Sequence, residues 1–173
     1  NALRIHTGGR FHTSGISVVV HPSSGLVGLD LDHCINEGTF SDEAKEILSK
    51  VSSYSEISPS GKGVRIFLYG KLPGKGRRKE NFECYDDVRH LTVTGNHIPD
   101  TPKVINRDQA VIDWFHQKFI ATVKDEDSSQ GRVRETTGEN QMVPAEPASD
   151  VSKLQVNEII QQIRSSRQKD KFE

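Results

Sequence analysis

The sequence has few cysteines, few apolar residues and no long hydrophobic run. Its two cysteines, Cys34 and Cys84, are too few for a disulfide framework and lack the Cys-x-x-Cys spacing of zinc sites, so they fit a reducing compartment. No apolar run approaches the roughly 20 residues that cross a bilayer, and no secretory signal is visible. Apolar residues make up only 33% of the chain, which predicts that part of it stays outside a globular core.

The chain also lacks an excess of either charge. The net charge is -1 and the pI is near 6.7, so no global basic signal points to nucleic acid. A local basic patch combined with an acidic tail would still allow nucleic-acid binding.

The 173 residues predict one compact domain with additional segments. The domain is predicted over residues 1–123, followed by a polar, flexible linker over 124–150 and the start of a small helical module over 151–173. Residues 1–15 are expected to be the tail of a missing upstream part, and both ends are expected to be cut from a longer protein. Periodicity and turn residues predict strands over 16–20, 26–32, 54–58, 64–69, 82–85 and 89–94, and helices that begin at 41, 108 and 151. The first two strands are expected to form a hairpin.

Two aspartates end the apolar run GLVGLDLDHC, which spans residues 25–34. In a strand, Asp30 and Asp32 would point to the same face, where their like charges repel. A divalent cation bound through their oxygens would remove this repulsion, so the pair predicts half of a metal site. Alternatively, the two aspartates only cap the end of a strand.

Glu83 is the best candidate for a third metal ligand. It lies centrally in the strand FECY, in an otherwise apolar context, and this strand could lie near the aspartates in an antiparallel sheet. Three carboxylates around two divalent ions are typical of in-line phosphoryl or nucleotidyl transfer. Glu83 could equally face solvent.

The loop SPSGKG, residues 58–63, is a candidate phosphate-binding loop that is followed by Arg65. Glycine lets backbone N–H groups approach a phosphate, and hydroxyl and ammonium groups can donate to it. The candidate nucleotide-binding residues of the loop are Ser58, Ser60, Gly61 and Lys62. The spacing of a Walker A loop is absent, and a plain hairpin turn is the alternative.

Two further basic positions follow along the chain. Arg89 could neutralise a triphosphate, or form an ordinary salt bridge with Asp86 or Asp87. The segment KLPGKGRRK, residues 71–79, could bind a nucleic-acid backbone, or be a solvated run of charge. Its candidate nucleic-acid contacts are Lys75, Arg77, Arg78 and Lys79.

Taken in order, GLVGLDLDHC, SYSEISPSGKGVRIF and ENFECYDDVRHLTVTG resemble the three motifs of the archaeo-eukaryotic primase superfamily. The chain is most similar to the primase–polymerase domains of phage and plasmid replication proteins, over residues 16–98. The resemblance implies an α+β fold, with an RRM-like, mostly antiparallel sheet flanked by helices, before a disordered linker and a C-terminal helix. It also implies that Asp30, Asp32 and Glu83 are the metal ligands. Ser60 and Arg65 would contact the nucleotide, although many members carry histidine at the second position.

The function implied by the resemblance is template-directed nucleotidyl transfer, as a DNA primase, a DNA polymerase or both. Its cofactor would be Mg²⁺ or Mn²⁺, and its partners a single-stranded DNA template, dNTPs or NTPs, and a fused or associated replicative helicase. The expected location is the cytoplasm of a bacterium or of a virus-infected host cell.

Three alternatives remain on sequence grounds. The first is a catalytically inactive domain that binds nucleotide or nucleic acid. The second is a DxD phosphohydrolase of the haloacid-dehalogenase type, which requires Thr or Val where this chain has Cys34. The third is a nucleotide-sugar transferase, which would need a larger α/β domain.

Overall fold

The computed structural model describes residues 2–8, 14–74, 77–121 and 161. Its helices are α1 (Ala2–Thr7), α2 (Asp42–Lys50) and α3 (Gln109–Phe115), the last continued by a π-helical turn (His116–Ile120). Its strands are β1 (Ile16–Val20), β2 (Leu26–Leu31), β3 (Ile35–Asn36), β4 (Thr39–Phe40), β5 (Ser55–Ile57), β6 (Val64–Tyr69), β7 (Arg78–Lys79), β8 (Phe82–Tyr85) and β9 (Arg89–Val93). Within these described residues, no helix is long and apolar enough to span a membrane.

Five of the strands form one antiparallel sheet in the order β5-β6-β2-β8-β7. Strand β2 is central, and all of its residues are buried. An apolar run of this kind suits a strand that is covered on both faces. The structure therefore confirms the predicted α+β fold with a mostly antiparallel sheet.

One face of the sheet packs on α2 and α3. Val27, Leu29 and Leu31 of β2 contribute to this core, because alternate residues of a strand point to the same side. The side chain of Ser41 accepts a hydrogen bond from the N–H of Ala44 and so caps α2, as the sequence predicts. The helices fix the position of β2 from one side only.

A two-stranded ribbon of β1 and β9 covers part of the other face. The ribbon lies so close to β2 that a Cβ atom at Gly28 would be 2.0 Å from Cδ1 of Leu91. Leu91 of the ribbon is buried together with Leu26 and Phe67 of the sheet. Glycine at position 28 therefore permits the close approach of the ribbon to the sheet.

The predicted hairpin between the first two strands is wrong. Strand β1 pairs with β9, and β2 pairs with β6 and β8. The connection includes a 3₁₀ turn (Pro22–Ser24) and Gly25, which has a φ of 59°. This turn carries the chain from the ribbon into the sheet, where β2 needs neighbours on both edges to pair its buried backbone groups.

Several predictions fall on residues that the structure leaves undescribed. The linker over 124–150 lies outside the described residues, as does the helix that begins at 151, apart from Gln161. The side chain of Gln161 donates a hydrogen bond to the carbonyl oxygen of Lys103 at 2.9 Å. Helix α1 was not predicted, since residues 1–15 were expected to be a tail.

Candidate active site

Five charged residues form a single row across the sheet, one from each strand. Glu56, Arg65, Asp30, Glu83 and Arg78 are directly opposite one another in the register of β5, β6, β2, β8 and β7. Paired residues of neighbouring strands project from the same face, which here is the face that the ribbon partly covers. We call this set the charge row.

Asp30 and Arg65 form a largely buried ion pair in the middle of the charge row. Nη2 of Arg65 donates to Oδ2 of Asp30 at 2.8 Å, and the two side chains are only 11% and 10% exposed. Nη1 of Arg65 donates to the carbonyl oxygen of Thr92 in the ribbon at 2.6 Å. Within the described part of the chain, Oδ1 of Asp30 and Nε of Arg65 are buried without a hydrogen-bond partner. Burial raises the pKa of Asp30, and the hydrogen bond and charge of Arg65 partly offset this.

Glu83 lies opposite Asp30 on β8, so two carboxylates occupy adjacent positions of the sheet. Nη1 of Arg78 is 2.9 Å from Oε1 of Glu83, and Nη2 of Arg89 is 3.3 Å from Oε2. The hydroxyl of Tyr85 also donates to Oε2 at 2.6 Å, while Arg89 lies over the Tyr85 ring at 4.5 Å. Burial and the contact with Glu83 raise the pKa of Tyr85 to about 12, so the phenol stays a donor.

The sequence predicts that the three carboxylates lie close together, and the structure shows this for Asp30 and Glu83. Asp32 follows directly after the end of β2. The charges of Asp32 and Glu83 both raise the pKa of Asp30. In the described residues, however, no group of three or more His, Cys, Asp or Glu side chains is arranged to hold a metal ion. Oδ1 of Asp30 has no hydrogen-bond partner among the described residues, so this oxygen is suited to act as a ligand of a cation. Oδ2 of Asp30 and both oxygens of Glu83 are instead paired with arginines. The metal-binding role of all three residues stays a prediction.

The predicted phosphate-binding loop is the turn between β5 and β6. The hydroxyls of Ser58 and Ser60 are 3.1 Å apart, and they accept hydrogen bonds from the N–H groups of Gly63 and Lys62. Gly61 has a φ of 73°, which favours glycine. The loop thus has the local geometry of a tight turn, and its nucleotide-binding role is untested.

The basic segment divides between the sheet and its edge. Arg77 forms an ion pair with Asp86 at 3.1 Å and donates to the carbonyl oxygen of Gly74 at 2.6 Å. Arg78 pairs with Glu83, and Lys79 is exposed on the edge strand β7. Lys75 lies outside the described residues. Arg89 pairs with Glu83 rather than with Asp86 or Asp87, the partners that the sequence suggested.

Glu56 is a site residue that sequence reasoning missed. It is wholly buried, and its carboxylate accepts hydrogen bonds of 2.9 Å from the N–H groups of Thr94 and Gly95 and from the hydroxyl of Tyr54. Burial raises its pKa despite these donors. The available signal was the alternation in SYSEI, which puts Tyr54 and Glu56 on one face of a short strand.

The fold and this site define an α+β protein whose antiparallel sheet carries a cluster of carboxylates and arginines on one face. No protein-family model matches the chain. A DNA primase-polymerase of Nitratiruptor phage NrS-1 is 31% identical over an alignment of 121 residues, which covers 65% of this chain and 17% of that protein. The similarity supports a relationship between this chain and phage primase-polymerases, of which it spans a small part.

Proposed function

We propose that the protein catalyses template-directed nucleotidyl transfer, as a DNA primase, a DNA polymerase or both, in phage or plasmid replication. Asp30, Asp32 and Glu83 would hold Mg²⁺ or Mn²⁺. When bound, such a cation supplies positive charge for a triphosphate and lowers the pKa of an attacking hydroxyl. A single-stranded DNA template and dNTPs or NTPs would be the substrates, with a replicative helicase as the partner and the cytoplasm as the location.

One observation carries the proposal. Asp30 and Glu83 are directly opposite on adjacent strands, and a buried oxygen of Asp30 has no hydrogen-bond partner in the described part of the chain. Like charges at directly opposite positions destabilise a sheet, and a buried polar atom without a partner costs free energy. A bound divalent cation would compensate for both costs, because such cations are bound through carboxylate oxygens. The similarity to a phage DNA primase-polymerase favours nucleotidyl transfer among the reactions that such a site could support.

The exposed arginines beside the carboxylates are suited to phosphate groups, either of a nucleotide or of a nucleic-acid backbone. The side chains of Arg78 and Arg89 are 63% and 47% exposed, so one of them can turn to a phosphate while the other, or a bound cation, still neutralises the buried Glu83. We assign Arg89 to the nucleotide, together with the turn residues Ser58, Ser60, Gly61 and Lys62, and with Arg65. We assign the nucleic-acid backbone to Lys75, Arg77, Arg78 and Lys79.

The test is synthesis on a primed and an unprimed single-stranded template, with labelled dNTPs or NTPs and Mg²⁺ or Mn²⁺. The isosteric variants Asp30→Asn, Asp32→Asn and Glu83→Gln remove one ligand charge each. We expect the rate of each variant to fall at least about a hundredfold, because each substitution removes a group that stabilises charge in the transition state. Glu43→Gln is the matched control, because Glu43 is an exposed carboxylate on α2, and this variant should keep wild-type activity.

Equal rates for wild type and Asp32→Asn would contradict the proposed catalytic role of this aspartate. A denaturation curve for each variant separates a loss of activity from a loss of folding. If the unprimed template supports no synthesis but the primed one does, the protein is a polymerase rather than a primase.

The second candidate function is a catalytically inactive domain that binds nucleotide or single-stranded nucleic acid. It is favoured by the pairing of the carboxylates of Asp30 and Glu83 with arginines, which lowers their need for a cation. This candidate predicts no synthesis by wild type, together with template binding that the Asp30→Asn change leaves intact.

The all-antiparallel pairing of the five-stranded sheet gives no support to a nucleotide-sugar transferase, which was expected to need an α/β domain.

A further inference from the structure

The three arginines at the carboxylates differ in burial. The side chains of Arg78 and Arg89 are 63% and 47% exposed, whereas that of Arg65 is 11% exposed. Arg65 is also held at two points, by Oδ2 of Asp30 and by the carbonyl oxygen of Thr92. Because Arg78 and Arg89 share Glu83, either can turn to water while the other stays. Arg65 can leave the buried Asp30 only if another cation replaces it.

In its ionised form, Asp30 needs a positive charge whether or not a metal is present. Its side chain is 10% exposed, and it lies beside Glu83 and close in sequence to Asp32. A buried carboxylate without a counter-ion is strongly destabilising. Arg65 supplies that charge here, at a register position directly opposite Asp30 on β6.

The two oxygens of Asp30 are in different states. Oδ2 is bound to Arg65, while Oδ1 has no partner within the described residues. A cation that reaches the buried Oδ1 would share the carboxylate with Arg65 and would then draw Oδ2 away from the guanidinium. The contact with Thr92 would keep Arg65 beside the site after this exchange.

We propose that Arg65 is the resident counter-ion of Asp30 and that it competes with a divalent cation for this carboxylate. The inference rests on the metal site of the proposed function. Arg65 is then a positioning residue in the metal-free protein, and it becomes available to a phosphate only after a cation has taken Asp30.

Competition for one carboxylate has two linked consequences. Without metal, loss of Arg65 lowers stability, because Asp30 stays buried next to Glu83 without a counter-ion. With metal, the same loss strengthens binding, because the cation no longer has to displace the guanidinium. Ligand binding stabilises the folded state by an amount that grows with the logarithm of ligand concentration over Kd. Part of the stability lost on mutation is therefore regained when Mn²⁺ is added.

The experiment measures Mn²⁺ binding by calorimetry and by electron paramagnetic resonance, with melting temperatures in EDTA and in Mn²⁺. Arg65→Met removes the charge but keeps an apolar stem of similar length. We expect it to bind Mn²⁺ about tenfold more tightly than wild type, to melt lower in EDTA and to show a larger upward shift with Mn²⁺. Arg65→Lys keeps the charge but loses the two-point contact, so its Mn²⁺ affinity should lie between those of wild type and Arg65→Met. If Arg65→Met does not fold, Arg65→Lys takes its place in the comparison.

Two further variants show whether the effect passes through Asp30. Lys118→Met is the matched control, because Lys118 also pairs with a carboxylate, that of Glu46, and both residues lie outside the charge row. Its Mn²⁺ affinity should equal that of wild type. In an Asp30→Asn background, Arg65→Met should no longer change Mn²⁺ affinity, since the group for which the two cations compete is gone.

The outcomes separate this inference from the proposed function. The counter-ion role is refuted, while the metal site stands, if Arg65→Met binds Mn²⁺ as tightly as wild type or more weakly. The same holds for Arg65→Lys if it has to replace Arg65→Met. If neither protein binds Mn²⁺, the metal site itself is refuted, and the competition with it. If Arg65→Met still tightens binding in the Asp30→Asn background, Arg65 acts through another group and the inference is wrong.

Discussion

Two carboxylates of the charge row, Asp30 and Glu56, are both buried but are neutralised in different ways. Glu56 accepts hydrogen bonds from two backbone N–H groups and one phenol, which fix its position. Asp30 accepts one charged hydrogen bond and keeps a second oxygen without a partner in the described part of the chain. A fully bonded carboxylate is suited to a structural role, and an incompletely bonded one can accept a ligand. The difference assigns the two residues to different roles within one row.

The raised pKa of Glu56 predicts a pH-dependent contribution to stability. Because the folded-state pKa lies above the ordinary value of 4.5, the folded protein binds the proton more tightly than the unfolded chain does. The resulting stabilisation is complete below pH 4.5 and is lost as the pH rises through the folded-state pKa. The free energy of unfolding of wild type, relative to Glu56→Gln, should therefore increase as the pH falls from neutral towards 4.5.

Urea denaturation in EDTA between pH 4 and pH 7 measures this difference directly. Glu43→Gln removes the same charge from an exposed position of α2 and corrects for the effect of net charge. A relative stability that decreased as the pH was lowered would mean that the hydrogen bonds of Glu56 outweigh its burial.

Packing of the ribbon on the sheet depends on the absence of a side chain at Gly28. A methyl group there would be 2.0 Å from Cδ1 of Leu91, which is itself 2% exposed and has little room to move. We expect Gly28→Ala to lower the free energy of unfolding by about 1–3 kcal/mol, as overpacking of a core does. Urea denaturation checks this value.

A matched variant and a compensating variant test the cause. At Gly15 a Cβ would be 3.7 Å from a methyl group of Thr92, which is an ordinary van der Waals contact, so Gly15→Ala should cost much less. Leu91→Ala creates space above position 28, so its own cost should be smaller in the Gly28→Ala background than in wild type. Costs that simply add would exclude the contact between these two positions as the source of the strain.

The strands and helices could largely be predicted from the sequence, but their pairing could not. Alternation, β-branched runs and a serine cap are local signals, and they locate β1, β2, β6 and α2 within about a residue. The partner of β1 is decided by burial across the whole domain, which no local pattern encodes. The turn at Gly25 is compatible with a hairpin, so nearness in sequence favoured the wrong partner.

The candidate site follows the same division. The sequence identified Asp30, Glu83 and Arg65 as functional candidates, and the register brings these three together. It did not indicate that Arg65 would bind Asp30, because that contact depends on register rather than on residue type. Glu56 was missed for the same reason: its donors at Thr94 and Gly95 come from a distant part of the chain.

The core of the whole domain encloses both thiols. Cys84 is wholly buried and Cys34 is 6% exposed, and burial raises the pKa of Cys84 to about 12. Reaction with a disulfide reagent such as 5,5′-dithiobis(2-nitrobenzoate) requires an accessible thiolate. We expect negligible labelling of the native protein at pH 8 and labelling of both thiols in step with urea unfolding. Fast labelling without denaturant would show that the core opens locally. Single Cys34→Ala and Cys84→Ala variants identify which thiol reacts.

The pairing of β1 with β9 also determines when the site can be completed during synthesis. Ile16 pairs with Val93, so β1 leaves the ribosome long before its partner exists. Until then β1 exposes its backbone edge, and Arg65 has no access to the carbonyl oxygen of Thr92. Non-local closure of this kind is a slow step in folding, because the entropy of the intervening chain is lost before the contact forms. The nascent chain thus contains Asp30 and its counter-ion well before the strand that holds them in place.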